Sequence, residues 1–137
     1  LDRHRALFSG GQVTLDVQIK ALPAHRVDAA QLFLFAGTVN VTTGKDVNDA
    51  MFQGSARGMK LWFGGARPMP VFDGLVPGHY SLCTIPITGD MGDPVFQQRL
   101  RDNTATLRVY CKPREIAAAP LRQSIVEEVP SMTPLPR

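Results

Sequence analysis

Between Gln12 and Lys20 the chain alternates without a break: Val13, Leu15, Val17 and Ile19 are apolar, and Thr14, Asp16, Gln18 and Lys20 are polar. Successive side chains of a strand point to opposite faces, so this stretch reads as a strand with one face buried and one in water. Ala30–Ala36 is different, a continuous run with two phenylalanines bounded by Gly37. It suits a strand buried on both faces. Further strands are expected at Met59–Phe63, His79–Ile87 and Thr104–Lys112, and Pro68 and Pro70 confine any strand at 68–72 to a sheet edge. With 137 residues, 44% of them hydrophobic and 20% charged, the chain is long enough for one domain around its own core. The expectation is an all-β fold, an antiparallel β-sandwich of about seven strands with one or two short helical turns. Residues 1–10 form a lead-in, 11–116 the sandwich, and 117–137 a proline-rich tail.

Two segments carry helix signals. Asp93-Pro94 offers an N-cap followed by proline at the first helical position, with Phe96 and Leu100 four apart on one face. Asp46–Met51 places Val47, Ala50 and Met51 on one side. The last two expected strands permit a sharper reading. If the segment around residue 97 connects them as an antiparallel pair, opposed residues sum to 194. Cys83 then faces Cys111, Ile85 faces Val109 and Ile87 faces Leu107, all on one face. Thr84, Pro86, Tyr110 and Arg108 fall on the other, expected to be wet. Directly opposed cysteines in such a pair are within disulfide reach; the alternative is two buried free thiols acting as small hydrophobes.

Residues 72–82 read Phe72-Asp73-Gly74-Leu75-Val76-Pro77-Gly78-His79-Tyr80-Ser81-Leu82, the pattern F-x-x-L-x-P-G-x-Y-x-L. Phe72 and Leu75 plug a core, Pro77-Gly78 makes a tight turn and Tyr80 begins the next strand. This resembles the carboxypeptidase regulatory-like and collagen-adhesin B-type domains, both prealbumin-like (transthyretin-like) β-sandwiches. The loop from Gly44 to Gly58 is longer than that family's usual connection. The resemblance implies a non-catalytic module of a secreted or cell-envelope protein, serving as spacer, stalk or binding surface.

The residues point the same way. His4, His25 and His79 are far apart in sequence, and no nucleophile is paired with a base. The Tyr-Arg-Gly-Ser ending of the related hydroxyisourate hydrolases is missing. Tyr80 and Tyr110 lack the context of the iron-binding intradiol dioxygenases. Asp46, Asn48 and Asp49 lack calcium-loop spacing and read as a solvated acidic turn. No cofactor or metal is expected. The formal net charge of +3 comes from singly scattered Lys and Arg, which give no nucleic-acid footprint. No apolar run is long enough for a membrane span.

Two candidate contact surfaces remain. The tail contains Leu121, Ile125, Val126, Val129 and Leu135, more apolar content than a spacer needs. It reads as extended and unable to join a ladder, either a linker or frayed end or, on its apolar content, a segment that docks on a partner protein or neighbouring subunit. Trp62, the single tryptophan, sits among Arg57, Lys60 and Arg67, a grouping that could take a sugar ring or a partner chain, though core packing is the stronger reading of Trp62. The leading expectation is a non-enzymatic structural or protein-interaction module of an extracytoplasmic assembly. A carbohydrate- or ligand-binding module built on Trp62 and its basic neighbours is the alternative.

Overall fold

A computed structural model describes residues 11–64 and 69–135. The chain runs β1 (Val13–Ala21), β2 (Ala29–Ala36), α1 (Gly44–Met51), β3 (Ala56–Phe63), β4 (Val71–Leu75), β5 (Gly78–Ile87), α2 (Pro94–Asp102), a 3-10 turn at Thr104–Thr106, β6 (Tyr110–Ile116) and β7 (Arg122–Val129). The seven strands form a sandwich of two sheets, ordered β4-β1-β7 and β3-β2-β5-β6.

Alternation along β1 is realised in full. Val13, Leu15, Val17 and Ile19 are buried at 7% exposure or less, while Gln18 and Lys20 lie open to water. They meet Ala30, Leu32 and Leu34 of β2 and Tyr80 and Leu82 of β5 in a core between the sheets. The other face of β2 carries Ala29, Phe33 and Phe35 into a second core. That core is covered by Val47 and Ala50 of α1, Phe96 and Leu100 of α2, and by Met132 and Leu135. The apolar run of β2, interrupted only by Gln31, therefore has a cause: the strand is covered on both sides.

The same layering corrects the expected wet face of β5. Thr84 is fully buried and Pro86 is buried too, because both point into the core between the sheets. Reading the β5–β6 pair in isolation leaves no second sheet to cover them. The proposed register itself holds from Gly78/Ile116 through Cys83/Cys111 to Thr84/Tyr110. Beyond that point the chain leaves β5: Arg108 pairs with Thr43, and the Val109 amide donates to the Thr42 carbonyl at 2.9 Å. Ile85, Ile87, Leu107 and Val109 still share the second core, so the face is right although the ladder is shorter.

The tail also departs from expectation. Residues Arg122–Val129 form β7, which pairs with β1 along its length, from Thr14/Arg122 to Ala21/Val129. This ladder is parallel, so the sandwich is not purely antiparallel. Leaving β6 in one sheet, the chain crosses to the other sheet and enters it running with β1. The boundary at residue 117 thus cuts through the domain. Val129 is fully buried and Ile125 packs on the first core, while Leu135 packs on the second. Leu121 and Val126 remain exposed, at 56% and 48%.

Glu127 explains why this strand escapes a hydrophobicity reading. It occupies an inward position of β7 between Ile125 and Val129 and is fully buried. Its carboxylate accepts from Arg114 of β6 at 2.5 Å, with the Lys112 ammonium 3.7 Å away. The pair bridges the two sheets. Glu127→Ala is expected to lower stability by about 2–3 kcal/mol, since Arg114 keeps some access to water but loses its counter-charge. Urea denaturation of the single variant and of Glu127→Leu with Arg114→Leu checks this; the double variant should recover part of the loss.

Both short helices form where their caps place them. Asp93 accepts from the Val95 amide at 2.9 Å and opens α2, with Pro94 in its first turn. Thr43 caps α1 by accepting from the Asp46 amide at 3.3 Å, and Asp46 accepts in return from the Thr42 and Thr43 amides at 3.0 and 3.1 Å. Gly44 begins α1 against the 3-10 turn, where a Cβ would lie 1.9 Å from the Thr104 carbonyl oxygen. Only glycine permits that approach.

Candidate functional site

Among the described residues, strand β3 is an edge of the four-stranded sheet, with a ladder on one side only, to β2. Its register with β2 is regular from Ala29/Phe63 to Leu34/Gly58 and breaks at Arg57, where Phe35 pairs with Ala56. Regular pairing places Met59, Leu61 and Phe63 on the face that carries the second core. All three are exposed, at 45%, 51% and 38%. The helical layer stops short of them, leaving a groove of about 320 Å³ between β3 and α2. Leu61 and Phe63 line one wall, Leu100 and Arg101 the other, with Ala29 and Ile87 among the floor residues.

Trp62 and Lys60 alternate onto the opposite face of β3. Trp62 is partly buried against the core between the sheets, and it also reaches the groove. Lys60 is exposed. Arg57, exposed at the irregularity, donates to the Gly54 carbonyl at 2.7 Å and the Ala56 carbonyl at 3.1 Å. Arg67 lies outside the described residues. The strand therefore holds Trp62 and Lys60 on one face and turns Arg57 back onto its own loop. The residues that sequence reasoning left out of the candidate site are Met59, Leu61 and Phe63. Their period-two spacing was visible, but whether the helical layer covers them is a tertiary matter.

Cys83 and Cys111 are joined in a disulfide, with Cα atoms 4.0 Å apart. Cys83 is fully buried in the second core and Cys111 partly so. The phenylalanine, leucine and tyrosine of the F-x-x-L-x-P-G-x-Y-x-L segment all enter the first core: Phe72, Leu75, Tyr80 and Leu82 are buried, and the Tyr80 hydroxyl donates to the Val76 carbonyl at 2.5 Å. The motif closes one end of the sandwich.

Of the histidines, His4 lies outside the described residues. The His25 ring accepts from the Ser131 amide at 2.9 Å, and His79 pairs with Glu115 across the β5–β6 ladder. Asp46 acts in the cap of α1. The Thr42 and Thr43 hydrogen bonds, the Thr42 amide first, hold its carboxyl below the ordinary value of 3.8. A lowered folded-state pKa stabilises the fold above the ordinary value, and the contribution is lost as pH falls through the lower folded value. Carbon-detected NMR titration is thus expected to place the Asp46 midpoint below 3.8, with cap stability flat from about pH 5 to 8. Asp46→Asn should remove that acid-limb dependence.

Among the described residues, no helix is long and apolar enough to cross a membrane. Compared with known protein families and with curated proteins, the chain matches none.

Proposed function

We propose that this chain is a non-enzymatic protein-interaction module of an extracytoplasmic assembly. The observation that carries the reading is the row Met59, Leu61 and Phe63, three apolar side chains exposed on one face of an edge strand, of which Leu61 and Phe63 line an apolar groove. Scattered exposed apolar residues need no explanation, but a contiguous row beside a groove does. The Cys83–Cys111 bridge supports the location, since disulfides persist in oxidising compartments. Residues 122–129 belong to the sandwich as β7, so this reading assigns partner contact to β3.

A photo-crosslinking amino acid placed at Leu61 in the producing cells tests the reading, with exposed Val76 as the control position. A discrete protein adduct at Leu61 and not at Val76 is expected. Adducts at neither position, together with glycan-array binding abolished by Trp62→Ala, would assign the chain to carbohydrate recognition instead.

A further inference from the structure

We infer that the occupant of the β3 groove is an extended polypeptide segment of alternating apolar and acidic residues, added antiparallel or parallel to β3 as a further strand. The inference rests on the interaction reading above and names the chemistry of the partner. An edge strand presents a row of backbone donors and acceptors that template a further strand. A strand added there would alternate its side chains with those of β3. On one face its residues would meet Met59, Leu61 and Phe63 and fill the groove, which favours apolar side chains. On the other they would meet Lys60, with Arg57 at the end of the strand, which favours carboxylates. Arg101, across the groove on α2, lies on the apolar side and donates to the Gln98 side chain at 2.9 Å, so Lys60 and Arg57 are the cations for the carboxylates. Among the described residues no carboxylate pairs with Arg57, Lys60 or Arg101.

The same charges disfavour the simplest competing occupant, a second copy of β3. Antiparallel self-pairing centred on the strand would set Lys60 against Lys60. Like charges placed directly opposite are destabilising, and lysine on an edge is a common guard against self-association. The Lys60 that disfavours a second β3 in this register favours an acidic strand.

Two synthetic peptides test this with the intact chain: acetyl-Glu-Val-Glu-Ile-Glu-Val-Glu-amide and its counterpart with lysine at every glutamate. In a ¹⁵N-labelled sample the acidic peptide is expected to shift the amides of Ala56–Phe63 and those of Leu100 and Arg101. The lysine peptide should bind about tenfold more weakly, from one or two cross-strand charge contacts. Affinity for the acidic peptide should fall with added salt. Lys60→Glu, an exposed change that leaves the cores intact, should reverse the preference between the peptides. Shifts confined to another edge, equal binding of both peptides, or dimerisation of the unliganded chain through β3 would each overturn the inference. A protein adduct at Leu61 combined with failure of the acidic peptide would leave the interaction reading standing and remove only this partner chemistry.

Discussion

A chain ending at Ala117 is expected to show no cooperative unfolding transition in urea. Although the segment it loses is rich in proline, that segment supplies β7, a full edge of the three-stranded sheet. Without it, β1 becomes an edge. The first core loses Ile125 and Val129, and Arg114 loses the carboxylate of Glu127. The second core loses Met132 and Leu135. Each buried aliphatic side chain contributes roughly 1.5–3 kcal/mol, and a whole domain is stable by only about 5–15 kcal/mol. Trp62 fluorescence and near-ultraviolet circular dichroism against urea concentration would read the transition. A truncated chain with an unchanged midpoint would mean that the sandwich closes without β7. A milder variant gives a graded answer: Val129→Ala, with the strand retained, should cost about 2 kcal/mol through the cavity it leaves.

Reducing the Cys83–Cys111 bridge is expected to lower stability by about 3–4 kcal/mol, because the bond closes a loop across a sequence separation of 28 residues. The corresponding fall in melting temperature is on the order of 10 °C for a domain of this size. Folding should survive, since the two cores remain, and Cys83→Ala with Cys111→Ala should behave like the reduced protein. In the native protein both sulfurs should resist alkylation until reductant and denaturant are applied together, which intact mass would register. If both thiols alkylate in denaturant without reductant, the bridge is not formed in the native protein. The case for an oxidising compartment would then lose its chemical support, while the β3 surface would be untouched.

Much of the fold was legible because neighbouring residues carry it. β1 declares itself by alternation and α2 by Asp93-Pro94. The β5–β6 register follows from the one alignment that puts two cysteines opposite each other on an apolar face. Each of these signals lies within one element or one hairpin-like pair. The candidate site was legible only in outline. Trp62, Arg57 and Lys60 drew notice by residue type, yet the groove belongs to Leu61, Phe63 and α2. Nothing in the strand's own sequence says which of its faces the helices leave open.

β7 is the clearest case of what sequence reasoning could not reach. Its inward row is Ile125, Glu127 and Val129, and its outward row contains Val126. A buried carboxylate within and an exposed valine without invert the pattern that marks a strand face. Glu127 is tolerated inside because Arg114, from a strand in the other sheet, lies 2.5 Å away. By itself the sequence marked β1, β2, α2 and the register that sets Cys83 opposite Cys111, since periodicity, caps and short-range register are properties of adjacent residues. Tertiary structure alone decided that residues 122–129 join β1, that β5 is covered on both sides and that β3 is not. Those outcomes depend on which distant surface arrives to exclude water or supply a counter-charge, and no local pattern encodes that.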